Sequence, residues 1–210
     1  MLTAQRSRLG LLAAATVLGA ACGTDTPVEP TNPNPPAGVT VTAVSAVAAR
    51  VAFTAVSGAS GYLVERADGA TGGTFAQVGT PTAPPFDDAG LNPTATYRYR
   101  VSTVSGSRTS APSSEVSVTL PDRALTVVSA DITTNTTWTR DKKYRLSGFI
   151  HVGNGATLTI ESGTIIEGDF NVVGSSLFIL RGAKIDAQGT AAAPIVFTSS
   201  QPAEQRRTGD

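Results

Sequence analysis

The chain has 210 residues, enough for one or two domains. Its 16 basic and 16 acidic residues balance, so no net charge draws it to a phosphate backbone, and nucleic acid is a poor partner. One cysteine rules out a disulfide framework, and one histidine leaves too few ligands for a zinc site. Each domain must therefore rest on its own apolar core, with no metal or other cofactor expected.

Residues 9–21 carry no charge, Arg6 and Arg8 precede them, and Gly19-Ala20-Ala21 leads into Cys22. A positive start, a short apolar run and a small-residue cleavage site make a secretory signal over residues 1–21. Thirteen residues are too few for a membrane-spanning helix. A cysteine directly after such a site resembles the bacterial lipobox, with Gly19 where that pattern usually has Leu. The resemblance implies lipidation of Cys22, an anchor in the cell envelope and, with Gly at position 23, passage to the outer membrane. Slightly acidic overall once the signal is removed, the chain continues with five prolines among residues 23–36. A proline-rich segment is extended and semi-rigid, so residues 22–36 read as a tether.

Residues 37–121 alternate with period two. Val51, Phe53 and Ala55 form one such run, Tyr62 and Val64 another, Tyr97, Tyr99 and Val101 a third, and Val116, Val118 and Leu120 a fourth. Separated by turn signals such as Ser57-Gly58, Asp68-Gly69 and Ala89-Gly90, they predict about seven short strands in a β-sandwich. The stretch Leu91-Asn92-Pro93-Thr94-Ala95-Thr96-Tyr97 resembles the tyrosine corner of fibronectin type III domains, with Gly61-Tyr62-Leu63-Val64-Glu65-Arg66 as strand C. The resemblance implies structural roles for Leu91, Pro93 and Tyr97, and places Phe53 where strand B usually carries Trp. It also implies a binding or spacer module. Asp87-Asp88 is expected to be turn chemistry.

Residues 122–210 differ. Residues 157–167 are echoed nineteen residues later: Leu158 matches Leu177, Ile160 matches Ile179, Gly163 matches Gly182 and Ile166 matches Ile185. A fixed glycine between paired aliphatics reads as one coil of a solenoid, with two strands per coil. The segment resembles the start of a right-handed, pectate-lyase-like parallel β-helix of bacterial surface lipoproteins, with Thr137-Trp138-Thr139 through Tyr144-Arg145-Leu146 as its opening strands and Pro194-Ile195-Val196-Phe197 as a later one. The fold class expected for the whole chain is all-β. An open coil end would leave Ile185, Ile195 and Phe197 uncovered, which predicts a truncated β-helix.

No residue set announces a catalytic reaction, and none is assigned as catalytic. If the echo is one coil, Glu167 and Asp186 stack about 5 Å apart, the spacing of neighbouring strands, and could hold a cation or work as an acid/base pair. Trp138 and Tyr144 either offer a stacking surface for sugar rings or cap the first coil, the latter being favoured. His151 is expected at the surface. The function expected is that of a lipid-anchored display or binding module, with envelope polysaccharide or surface proteins as partners. The alternative is a β-helix polysaccharide lyase or glycoside hydrolase whose catalytic coils lie beyond residue 210.

Overall fold

The computed structural model describes residues 31–206; Cys22 and the segment before it lie outside them. The described residues are almost entirely strands and turns, and none of their helices is long and apolar enough to cross a membrane.

The first eight strands are β1 (Thr40–Ser45), β2 (Ala48–Ala52), β3 (Gly61–Asp68), β4 (Ala76–Gly79), β5 (Phe86–Ala89), β6 (Thr96–Ser105), β7 (Arg108–Thr109) and β8 (Val116–Thr119). They form two antiparallel sheets. One runs β1-β2-β5; the other runs β4-β3-β6-β7, with β8 also paired to β6. The inward parity is the one the alternation predicts, since Val51, Val64, Tyr99 and Val101 are fully buried, with Tyr62 and Tyr97 nearly so. Phe53 meets Tyr62 edge to face at 4.7 Å, which fills the place of a larger indole ring.

Hydroxyl groups lock this core to the backbone. Tyr97 Oη accepts the Asn92 N–H at 2.8 Å, closing the corner, and Tyr62 Oη accepts the Val56 N–H at 2.8 Å. Within the corner Leu91 is buried, Pro93 fixes the turn, and Thr94 takes the left-handed conformation at φ 61.

Asp87 and Asp88 are not turn residues. Both lie in β5, where Asp87 faces out to a two-pronged bond with Arg50 on β2 and Asp88 faces in. The Arg50 hydrogen bonds hold the Asp87 carboxyl below its ordinary range. Asp88 accepts from Arg66 Nη1 at 2.8 Å and from Tyr99 Oη at 2.9 Å, a network that spans both sheets. A buried carboxylate survives where a cation and a hydroxyl replace its water, and that pairing overrides the ordinary turn preference of Asp. Burial, and then the charge of Asp88, pushes the Tyr99 phenol well above its usual range.

The next nine strands are β9 (Ala124–Val128), β10 (Thr136–Trp138), β11 (Lys142–Leu146), β12 (Phe149–Val152), β13 (Thr157–Ile160), β14 (Ile165–Gly168), β15 (Ser176–Ile179), β16 (Lys184–Ala187) and β17 (Val196–Ser199). They stack in parallel on three sides: β9-β11-β14-β17, β10-β13-β16 and β12-β15. Each coil thus has three strands, not two. Leu158 pairs with Ile185, while Leu177 pairs with Ile150, so the nineteen-residue echo is not a coil.

The echo is a corner. Between β13 and β14, Thr164 N–H bonds Glu161 C=O across Gly163 at φ 87; between β15 and β16, Ala183 N–H bonds Leu180 C=O across Gly182 at φ 86. A tight turn needing a left-handed third residue selects Gly at each, and the flanking strands bring aliphatics in the same phase. The motif therefore recurs from side to side of the coil as well as from turn to turn.

The lumen is apolar. Leu146, Ile150, Val152, Leu158, Ile160 and Ile166 fill its inner coils and are almost wholly buried. Among the described residues the last coil is uncovered: Ile185, paired above Leu158, is 42% exposed, and Phe197, paired above Ile166, is 54% exposed. Leu146, Ile166, Leu177, Ile179, Ile185 and Phe197 line the resulting concavity of about 620 Å³.

Candidate functional site

Cys22, the sequence-predicted lipidation site, lies outside the described residues. Among the coil candidates, Glu167 and Asp186 do not meet. Glu167 belongs to β14 and stacks on Arg145 of β11; Asp186 belongs to β16 and pairs with Thr159 on another side of the coil. The echo, taken as a full coil, rotated one of them onto the wrong side. Glu167 is buried and accepts from Arg145 Nε at 2.7 Å, so its charge is compensated in place. Asp186 is exposed and accepts from Gln188 at 2.9 Å.

Trp138 and Tyr144 do not form a surface. Both are buried, their rings stacked at 4.8 Å and 16° inside the first coil. Tyr144 Oη accepts the Thr139 N–H at 2.9 Å, the same device that closes the sandwich corner at Tyr97. Strand parity places both rings inward, because they alternate with outward Thr137 and Arg145.

His151 lies at the surface of β12. Asp131 Oδ1 accepts the His151 backbone N–H at 2.8 Å and lies 3.0 Å from its Nδ1. Those bonds, the backbone one first, lower the Asp131 pKa. The pair fastens the segment that holds Ile132, which bridges to Val152 as a first rung below β12. Among the described residues no three His, Cys, Asp or Glu side chains stand close enough to hold a metal ion.

What the sequence reading missed is an outward aromatic group on β12 and β15. Phe149, 60% exposed, lies 6.1 Å from Phe178, whose ring stacks on His151 at 5.4 Å. Phe170 and Val173 are exposed in the loop between β14 and β15, and the Phe149 ring covers Gly174 so closely that a Cβ there would overlap it. The signal available in the sequence was the alternation Phe149-Ile150-His151-Val152, which puts Phe149 and His151 on one face. Chemically this face offers ring surface edged by a carboxylate and an imidazole.

Residues 130–210 match the family described as pectate-lyase like beta helix domain. No curated protein matches the chain. Among solved structures, a Fn3-like protein from Clostridium thermocellum is 28% identical, with a TM-score of 0.39 over 43% of this chain and 96% of that one. FN3tt is 18% identical, with a TM-score of 0.39 over 43% and 97%. Domains A168–A170 of titin are 24% identical, with a TM-score of 0.40 over 43% of this chain and 32% of that one. The chain joins a β-sandwich of two antiparallel sheets to stacked parallel coils, and the coils match a pectate-lyase like beta helix domain over residues 130–210.

Proposed function

We propose that this is a lipid-anchored protein of a bacterial envelope that displays a binding face away from the membrane. The sandwich serves as spacer, and the coil stack carries the contacts, to envelope glycan or to another surface protein. One observation carries the reading: Glu167 is paired with Arg145 and His151 with Asp131, whereas the outward Phe149 and Phe178 rings remain exposed. The uncharged run before Cys22 and the proline-rich segment after it supply anchor and tether in the same reading.

The test of the anchor is the intact mass of protein extracted from membranes. A mature N-terminus at Cys22 carrying diacylglycerol is expected, and Cys22→Ala should leave the protein unprocessed or soluble. Unlipidated wild-type protein cleaved elsewhere would overturn it.

A second reading is favoured by the family match alone: the coils belong to a polysaccharide-degrading β-helix. Release of new chain ends from acidic polysaccharides by the purified protein would support it over display.

A further inference from the structure

A second recess lies between the sandwich and the coil corners. Gly90 and Asn92 form one wall, Ser162 and Gly163 another, and Arg123 and Arg140 close it, around a cavity of about 250 Å³. Among the described residues, two guanidinium groups line this cleft and no carboxylate does.

The two arginines are held differently. Arg123 donates from Nε to the Arg140 carbonyl at 2.7 Å and from Nη2 to the Gly163 carbonyl at 3.4 Å. That fixes its plane and leaves further N–H groups of its fork unspent. Arg140 is half-buried, yet among the described residues its guanidinium has neither an acid partner nor a hydrogen-bond acceptor. Its two terminal nitrogens lie 3.9 and 4.0 Å from where a Cβ on residue 90 would stand, so its tip reaches across to the sandwich turn. The nearby Glu161 carboxylate accepts the Arg140 backbone N–H at 3.0 Å and is not part of the cleft wall.

Several other arginines are neutralised in place. Arg50, Arg66, Arg98, Arg100 and Arg145 each hold a carboxylate. A half-buried guanidinium beside a second one, with no acid in the wall, is electrostatically incomplete. Its planar fork matches the paired oxygens of a carboxylate or a phosphate, and the cleft is large enough for one such group with the sugar ring that carries it.

We propose that this cleft binds a small oxyanion, a carboxylate or phosphate group, through Arg140 with Arg123 as its fixed second donor. The probes are inorganic phosphate, glucuronate and, as a neutral control, glucose, each titrated calorimetrically into the purified full-length protein. Saturable binding of phosphate, glucuronate or both is expected, with none for glucose. Arg140→Gln should weaken it roughly tenfold or more, the scale of one lost charge-assisted hydrogen bond. Arg140→Lys, which keeps the charge without the fork, should fall between, and Arg181→Gln on the exposed coil surface should bind as the wild type does. Phosphate alone would identify a phosphoryl source; glucuronate alone, an acidic sugar. Absence of binding by the folded wild type overturns the proposal, as does undiminished binding by folded Arg140→Gln or Arg140→Lys.

Discussion

The sandwich and the coil stack bury similar side chains by different logic. In the sandwich each sheet covers the other, so Val51, Val64, Tyr99 and Val101 are buried together. In the stack each coil covers only its neighbour, and the lumen opens along the axis, from Leu158 at 0% exposure to Ile185 at 42% one rung on. A two-layer fold distributes its stability; a solenoid adds it rung by rung and gains least at an end. The same aliphatic residue is therefore worth different amounts in the two regions, and in different rungs of one region.

The largest expected effect is in the closed region. Tyr97→Ala removes a buried ring and its corner bond, and should cost about 3–5 kcal/mol in a denaturant titration. Next comes the gradient inside the stack. Leu158→Ala should cost about 2–5 kcal/mol, and Ile185→Ala, directly above it, less than about 1 kcal/mol. Trp138 is the single tryptophan and lies in the first coil, so its fluorescence reports unfolding of the stack separately from the sandwich. Equal losses at positions 158 and 185 would break the comparison.

Tyr97→Phe and Tyr144→Phe sharpen it. Each leaves a backbone N–H without its hydroxyl acceptor, in the sandwich and in the coil respectively. Each should cost about 1 kcal/mol, read in the same titrations. A loss at only one of the two would mean that the shared geometry has different weight in the two folds.

An alkaline pH effect should appear in the sandwich. The Tyr99 pKa is raised in the folded state, so the proton it keeps favours folding fully below the unfolded phenol's value of about 10, and that contribution is lost as pH rises beyond it. Alkaline titration followed by tyrosinate absorbance should show Tyr99 ionising only as the sandwich unfolds. Tyr99→Phe should remove this contribution to alkaline unfolding.

Much of this was legible in the sequence because period two is a local signal. Tyr62, Val64, Tyr97, Tyr99 and Val101 face inward as their spacing requires, and the residues preceding Tyr97 mark the corner. The coil count was not legible, because the Gly163 and Gly182 turns repeat at the corners of a three-sided coil, and an echo between corners looks like an echo between coils. The Asp88 network was hidden for another reason. Arg66, Asp88 and Tyr99 are distant in sequence, and nothing in Asp87-Asp88 separates an outward carboxylate from one buried against two partners. The Arg123 and Arg140 cleft exists only once the sandwich turn and the coil corners share a wall.

Native-state hydrogen exchange on dilute protein spanning residues 1–210 decides whether the rung of β15, β16 and β17 is less well covered than the sandwich and the inner coils. Amides of β3 and β6 should be strongly protected, as should those of β11 and β14, with protection falling at β15, β16 and β17. Protection of β17 equal to that of β14 would contradict the account, since the last coil would then be as well covered as the one beneath it.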